Sequence, residues 1–301
     1  MFLKILVGSS FIALVAAAPP EAPAPQITTV VGRFDAEVDR SSIQAAIDSA
    51  EPNSTIELVG RFQLDGQFLN VEKAHLTLRG RADDNDGDGA VNEDWADQVD
   101  NDGDGAVDED DWDAQLVGVT GEDGRPAPGP PLSLYNRAVV SDALPGAVEG
   151  ITIRDIKFSN FHRAVDFSGD HSVPEGARCE DVITTSGSAD NVVVRSNWFD
   201  NNNRAVQVFG AARGATVESN LFTNNTTGIL LVSGEAFCRA ADGSDSSFAI
   251  GGPEGTKILN NRVITTAFGV LSTSGSTETR DNQMLPIVFP PEPKADPDDR
   301  E

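Results

Sequence analysis

A short acidic motif occurs twice and spaces its oxygen atoms as a cation-binding loop does. DNDGDGAVNED (residues 84–94) recurs as DNDGDGAVDED (residues 100–110), within a stretch, residues 83–113, that has 15 acidic side chains and no Lys or Arg. Carboxylates at positions 1, 3 and 5, followed by Gly at position 6, allow a tight turn to direct several hard oxygens onto one ion. The motif predicts bound Ca²⁺.

The second copy fits the pattern better than the first. Its predicted ligands stand at positions 1, 3, 5, 9 and 12, with a backbone carbonyl at position 7: Asp100, Asp102, Asp104, Asp108, Asp111 and Ala106. The first copy supplies Asp84, Asp86, Asp88 and Asn92, but Trp95 stands at position 12. Both copies resemble the DxDxDG repeats of dockerin-like, thrombospondin type 3 and EF-hand-like modules. A solvated acidic linker is the alternative.

Arginine recurs at one position of three apolar strings, NRAV, HRAV and NRAV. If these strings are stacked strands, Arg137, Arg163 and Arg204 form a column, and like charges ~5 Å apart repel unless an anion lies between them. That anion is either an internal carboxylate, Asp166 or Asp200, or a uronate or sulfate group of a glycan held by the guanidinium groups.

The glycan alternative predicts a site on the outward face of this strand. Its substrate-binding residues are Arg137, Arg204 and Gln207, and its catalytic residues are Arg163, His162 and Asp166. His162 or an arginine would remove the proton beside a carboxylate, as β-elimination requires, while calcium or a guanidinium group acidifies that proton.

The arginine strings belong to a longer repeat. Residues 151–169, 192–210, 215–234 and 256–275 align, and the same columns are apolar in each: Ile153, Val194, Val217 and Ile258; Phe158, Phe199, Phe222 and Val263; Val165, Val206, Ile229 and Val270. Each copy holds three short β-branched runs, which are typical of strands. A single copy cannot bury its apolar face, whereas parallel stacking at ~4.8 Å does so.

Asparagine marks the corners between these runs. Asn197, Asn220, Asn261 and Asn282 share one column, and Asn160, Asn201 and Asn224 share a second. Asparagine tolerates the left-handed backbone conformation, and its amide can bond to its counterpart on the next turn. We therefore expect both columns to be structural ladders.

With these repeats, residues 30–289 resemble the right-handed parallel β-helix proteins of the pectin-lyase-like superfamily. The resemblance implies an all-β fold with three short strands per turn, and an N-terminal capping helix and first strand within residues 41–58. In that helix Ser41 or Ser42 would be the N-cap, and Ile43, Ala46 and Ile47 would face inward. The superfamily contains lyases, hydrolases and esterases, but the motifs of pectate lyases, polygalacturonases and pectin methylesterases are absent from this sequence.

The two cysteines, Cys179 and Cys238, lie in separate insertions that leave the coil at the same corner. Two turns are roughly 10 Å apart, a distance that loops can reduce to a disulfide separation. In a secreted chain a disulfide is favoured over two free thiols.

The ends of the chain lie outside the predicted coil. Residues 1–18 have the apolar run and small residues of a signal peptide, with a membrane anchor as the alternative. Residues 19–29 are predicted to be a Pro-rich linker and residues 290–301 a disordered acidic tail. The mature protein is therefore expected to be secreted, periplasmic or on the cell surface, without a membrane span.

The charge excludes one class of partner. With 48 acidic and 22 basic residues the formal net charge is −26, so nucleic acid is not an expected ligand. We expect a monomeric, calcium-binding β-helix that associates with acidic polysaccharide, with lyase-like catalysis less favoured than binding. The alternatives are a non-catalytic, calcium-stabilised surface or matrix protein and a fragment of an adhesin.

Overall fold

Short strands rich in β-branched and aromatic residues stack into a parallel coil. The computed structural model describes residues 26–64, 66–81, 112–127, 137–142, 149–169, 189–210, 212–239, 245–272 and 277–285. The fold is an all-β, right-handed parallel β-helix with three strands per turn, which confirms the predicted class. Each turn is called a rung below.

The strands form three parallel sheets along the coil. Sheet A contains β1 (Ile27–Val31), β2 (Thr55–Gln63), β4 (Thr77–Gly80), β7 (Thr152–Arg154), β10 (Val193–Arg195), β13 (Thr216–Glu218), β18 (Thr256–Leu259) and β21 (Thr277–Arg280). Sheet B continues from the second half of β2 into β5 (Ala114–Val117), β8 (Lys157–Ser159), β11 (Trp198–Asp200), β14 (Leu221–Thr223), β19 (Arg262–Ile264) and β22 (Gln283–Leu285). Sheet C contains β3 (Leu69–Asn70), β6 (Arg137–Asp142), β9 (Arg163–Gly169), β12 (Arg204–Gly210), β15 (Thr227–Val232) and β20 (Phe268–Ser272).

Stacked apolar columns fill the tube between the sheets. The Phe158, Phe199 and Phe222 rings are parallel to within 11°, and their centroids are 5.1 Å apart. Strand pairing continues this column to Leu116 and Val263. The predicted isoleucine and valine columns of sheets A and C are also confirmed by the strand register. One rung therefore buries its apolar side chains against the next.

A buried asparagine ladder fixes the corner between sheets A and B. Asn220 Oδ1 accepts hydrogen bonds from Asn197 N at 3.0 Å and Asn197 Nδ2 at 3.1 Å. Asn261 and Asn282 continue the same pattern along the coil. The predicted ladder is confirmed, but its predicted backbone conformation is wrong. The left-handed residue is the one before each asparagine, such as Ser196 with φ 52°.

A second ladder at the corner between sheets B and C is displaced by one residue from its prediction. Asn160, Asn201 and Asn224 adopt the left-handed conformation, and Asn201 Nδ2 donates to Asn160 Oδ1 at 2.8 Å. The buried ladder, however, comes from the following residues: Asn202 N donates to Asn225 Oδ1 at 2.9 Å. A turn thus needs two residues, one that tolerates positive φ and one whose amide points inward.

One helix covers the N-terminal end of the coil. It is α1 (Ala36–Ser49), and its N-cap is Asp35, whose carboxylate accepts from Val38 N at 3.1 Å. Ser41 and Ser42 lie inside the helix, so their predicted role as caps is wrong. The inward face was predicted correctly, because Ile43, Ala46 and Ile47 are buried.

The boundaries of the coil and of its insertions differ in part from those predicted from the sequence. β1 begins at Ile27 and pairs with β2, so the coil starts within the segment predicted to be linker. The second insertion contains an antiparallel hairpin, β16 (Gly234–Arg239) and β17 (Asp245–Gly251). The predicted signal peptide, the acidic tail and residues 82–111 of the acidic insertion lie outside the described residues.

Candidate functional site

The arginine column predicted from the sequence is present on sheet C. Arg137 pairs in register with Arg163, and Arg163 pairs with Arg204. The next position in this column is Thr227, so the run of arginines ends there. For Arg137 the structure describes the backbone position alone.

The side chains of this column form a hydrogen-bonded network. Arg163 Nη1 donates to Asp166 Oδ2 at 3.0 Å, and Gln207 Nε2 donates to Asp166 Oδ1 at 3.1 Å. Arg204 Nη1 donates to Gln207 Oε1 at 3.0 Å. Both oxygens of the Asp166 carboxylate are therefore bonded to protein donors. We call these four residues the sheet C network.

Burial separates this network from the predicted ligand surface. Asp166 is 2% exposed and Gln207 is 3% exposed, although both were expected to meet a ligand on an outward face. A buried carboxylate that pairs with arginine is a structural group unless a ligand displaces the arginine. Of the two internal partners predicted for the arginines, Asp166 is present, whereas Asp200 accepts from Thr223 and Asn224 instead.

His162 lies beside the network and is half-buried. Its Nδ1 is 3.1 Å from Nδ2 of Asn203 on the next rung. The described hydrogen bonds do not join His162 to Asp166 as an acid–base pair. The catalytic roles of His162, Arg163 and Asp166 therefore stay predictions.

A second arginine column, which the sequence reasoning missed, crosses the outer face of sheet A. Arg79, Arg154 and Arg195 pair in register on three successive rungs. Glu57 precedes them in the column and Glu218 follows them. The aligned strings LTLR, ITIR and VVVR carried the signal, since each ends in arginine on the outward side of an alternating strand. We call these three arginines the sheet A ladder.

The arginines of the ladder differ in their partners. Arg79 Nη2 donates to Glu57 Oε2 at 2.8 Å, and Arg81 Nη2 lies 3.3 Å from the other oxygen of Glu57. Arg154 Nη1 donates to Asp155 Oδ2 at 2.7 Å. Arg195 is exposed, and its guanidinium group makes no hydrogen bond or ion pair with another side chain in the described part of the chain.

The two carboxylates of the ladder have opposite pKa shifts. Burial alone would raise the pKa of Glu57, but hydrogen bonds from Arg81 and Arg79 outweigh it and hold this pKa below its usual value. For Asp155, burial outweighs the attraction of Arg154, Arg195 and Arg79, and the pKa is raised. Of the two, Asp155 takes up a proton more readily.

The predicted calcium ligands cannot be placed, since residues 84–111 lie outside the described residues. Elsewhere, in the part of the chain that is described, no three His, Cys, Asp or Glu side chains form a group that could hold a metal ion.

The predicted disulfide also cannot be placed. Cys179 lies outside the described residues, and Cys238 is described only as a backbone position in β16, opposite Ser246. The pairing of the two cysteines stays a prediction.

The stacked sheets define the class of this molecule as a right-handed parallel β-helix protein. Within that class, residues 141–284 match the family model described as "Periplasmic copper-binding protein (NosD)". The description of this family names the periplasm, which confirms the predicted secreted or periplasmic location. Among proteins with curated descriptions, none matches this sequence.

A comparison with solved structures finds matches to carbohydrate-active enzymes. The catalytic domain of a GH87 alpha-1,3-glucanase in complex with nigerose has 9% identity and a TM-score of 0.40, and the match covers 89% of this chain and 47% of that one. DFA-IIIase from Arthrobacter chlorophenolicus A6 in complex with GF2 has 12% identity and a TM-score of 0.34, with coverages of 84% and 67%. The chain thus spans about half the length of the glucanase domain.

The family description raises the question of copper. Copper sites use His, Cys or Met ligands gathered around the ion, and the described residues gather no such group of His or Cys with carboxylates. His75 lies next to the single carboxylate of Glu149, at 3.4 Å. The His, Cys and carboxylate side chains of the described residues therefore do not form a copper site, and no step is assigned to copper.

The described part of the chain also has no helix with the length and apolar character that a bilayer-spanning segment needs.

Proposed function

We propose that this protein binds an acidic polysaccharide along the outer face of sheet A. The observation that carries the proposal is the sheet A ladder, in which guanidinium groups from Arg79, Arg154 and Arg195 recur on successive rungs. Guanidinium groups bind carboxylate and sulfate strongly and with defined geometry. Arg79 and Arg154 each pair with one carboxylate of the protein, whereas the exposed guanidinium group of Arg195 is open to an anionic group of a ligand.

Hydroxyl groups beside the ladder suit a sugar polymer. Thr55, Thr77 and Thr152 form the neighbouring column on the same face of the sheet, two residues before the charged column. Threonine hydroxyls donate and accept hydrogen bonds, so this face offers partners for sugar hydroxyls as well as for acidic groups.

A polysaccharide fits the surface better than a nucleic acid does. The aromatic side chains on which bases stack are absent from the described outward positions of sheet A. The net charge of −26 also opposes a polymer with the charge density of DNA. An acidic glycan carries its charges farther apart and brings many hydroxyl groups.

Binding is better supported than cleavage. A lyase reaction would need a base with access to the sugar. The predicted base, His162, is half-buried with its Nδ1 next to Asn203 Nδ2, and Asp166 of the sheet C network is buried and bonded through both oxygens. The proposal therefore assigns the protein a binding role and gives the sheet C network a structural one.

Calcium is the second part of the proposal. The repeated DxDxDG spacing of residues 84–110 supports two calcium-binding loops, which follow β4 directly in the sequence. Addition of a chelator should loosen this segment and expose it to protease, while an unchanged digestion pattern would count against the loops.

A titration of the full chain with a polyuronate oligosaccharide tests glycan binding. Affinity should fall with added salt, since screened charges attract less, and a neutral glucan of equal length should not bind. Arg195→Ala should weaken binding about fivefold, as the loss of one exposed ion pair with the ligand implies. Arg280→Ala is the matched control, because Arg280 lies in the same column beyond Glu218 and Leu259. Equal affinity for both glycans would overturn the proposal.

A further inference from the structure

The middle arginine of the sheet A ladder is held by a carboxylate that the neighbouring rung lacks. Asp155 follows Arg154 directly and accepts its hydrogen bond at 2.7 Å. On the next rung the corresponding corner residue is Ser196, so Arg195 has no such carboxylate beside it. Asp155 therefore makes the three otherwise similar positions of the ladder unequal.

The backbone fixes Asp155 at this place. Its φ of 57° is left-handed, and its N–H donates to Ser196 O at 3.1 Å. On the preceding rung Gly80 leaves the room this corner needs, because a Cβ at position 80 would lie 1.8 Å from the carbonyl oxygen of Asp155. The main chain therefore holds the Asp155 carboxylate beside Arg154, and protonation of that carboxylate weakens its ion pair with the arginine.

Arginines from three strands surround the carboxylate. Arg79 on β4, Arg154 on β7 and Arg195 on β10 all favour its charged form. Burial opposes them and prevails, so the pKa of Asp155 is raised. A proton therefore binds Asp155 at a higher pH than it binds an ordinary aspartate.

We infer that Asp155 competes with the anionic ligand for Arg154, so that ligand binding is coupled to uptake of one proton by this carboxyl group. The inference rests on the proposed function. At neutral pH the charged Asp155 occupies Arg154, and a ligand must displace it. As the pH falls, a proton moves from solvent to Asp155 before it reaches an ordinary aspartate, and Arg154 becomes available to the ligand.

This coupling selects a class of glycan. A uronate also loses its charge as the pH falls, in the range of an ordinary carboxyl group and below that of Asp155, so its own protonation opposes the gain at Arg154 once the pH falls further. A sulfate ester stays anionic throughout. The arrangement therefore favours sulfated over carboxylated polysaccharide as the pH is lowered.

Glu57 provides an internal comparison. It also occupies arginines of this surface, Arg79 and Arg81, but its pKa is lowered and it keeps its charge in mild acid. Removal of its charge should free arginines at every pH, whereas removal of the Asp155 charge should change the pH dependence itself.

The test is a calorimetric titration of the full chain with a sulfated dextran oligosaccharide at about pH 5 and about pH 7. The variants are Asp155→Asn and Glu57→Gln. Asparagine fits position 155, because Asn260 occupies the corresponding corner two rungs beyond Ser196 with φ 54°. The chain's other carboxylates also lose charge in acid, and the Asp155→Asn variant measures that background.

At neutral pH, Asp155→Asn should bind about fivefold more tightly than wild type, and the two affinities should converge in acid. Wild type should take up a proton on binding, seen as a binding enthalpy that depends on the ionisation heat of the buffer, and Asp155→Asn should not. Glu57→Gln should bind more tightly at both pH values and keep the wild-type pH dependence.

Two failures are distinguishable. Binding with the same pH profile in wild type and Asp155→Asn overturns the competitor role of Asp155 but leaves the proposed function standing. No saturable binding by wild type or Asp155→Asn, at either pH and with either uronate or sulfated oligosaccharide, overturns the proposed function and with it this inference.

Discussion

Two columns of arginine lie on different sheets of the same coil, and their surroundings give them different roles. On sheet C, Arg163 and Arg204 are bonded to a buried carboxylate and a buried amide, Asp166 and Gln207. On sheet A, Arg79 pairs with Glu57 and Arg154 pairs with Asp155 at a half-buried surface, and Arg195 is exposed.

The difference between the columns shows that arginines in register are not by themselves a binding site. Like charges on successive rungs need an anion, and the protein provides it where a carboxylate is buried within the same column. Where the protein provides less negative charge than the arginines require, a ligand can supply the rest. The number and burial of nearby carboxylates, rather than the arginines, distinguish scaffold from site.

The largest expected effect is on the sheet C network. Asp166→Ala removes the buried carboxylate that accepts from both Arg163 and Gln207, and removal of one partner of a buried ion pair costs about 3 kcal/mol. The free energy of unfolding in urea measures this loss. Unchanged stability together with lost glycan affinity would show that the sheet C network, not the sheet A ladder, is the site.

A smaller effect is expected at the first carboxylate of the ladder. Glu57→Gln should lower the free energy of unfolding by about 1 kcal/mol at neutral pH, a modest value because Arg81 is half exposed and screened by solvent. The lowered pKa of Glu57 means that its contribution is present above the unfolded-state pKa and is lost as pH falls through the folded-state pKa. Melting temperatures of wild type and variant should therefore converge in strong acid. A constant difference across pH would contradict the assigned ion pairs.

The smallest stability effect is expected at Asp155. Its raised pKa means that the charged form is disfavoured in the folded state, so that its contribution to stability falls as pH rises through the folded-state pKa. Asp155→Asn should leave the unfolding free energy unchanged or raise it by less than about 1 kcal/mol at neutral pH, and the difference should shrink as pH falls. If Asp155→Asn is instead less stable than wild type at neutral pH and equally stable in acid, the pKa shift of Asp155 has the opposite sign. The competitor role would then have no basis.

Much of the coil could be predicted from the sequence because its period is visible. Phe158, Phe199 and Phe222 align in the sequence, and their rings stack in the structure. The corners were harder to predict, because the residue with the left-handed backbone and the residue of the asparagine ladder are adjacent and both are often asparagine. The pair Asn201 and Asn202 shows why the second ladder was assigned one residue too early.

The site was less predictable than the fold for a physical reason. Both arginine columns could be read from the aligned repeats, but the burial of Asp166 and the exposure of Arg195 depend on what covers each sheet, which a repeat pattern does not encode. The helix start is a similar case. Asp35 and Ser41 are both good capping residues, and the structure places the cap at Asp35, whose carboxylate accepts from Val38 N.

The most direct test compares the two columns within a single rung. Arg195 on β10 and Arg204 on β12 belong to the same turn of the coil, and each is changed to alanine in the full chain. Calorimetric titration with an acidic oligosaccharide should give about fivefold weaker binding for Arg195→Ala. Arg204→Ala should keep wild-type affinity while it lowers the unfolding free energy. Wild-type affinity in Arg195→Ala with loss of binding in a folded Arg204→Ala would contradict the account and place the ligand on sheet C.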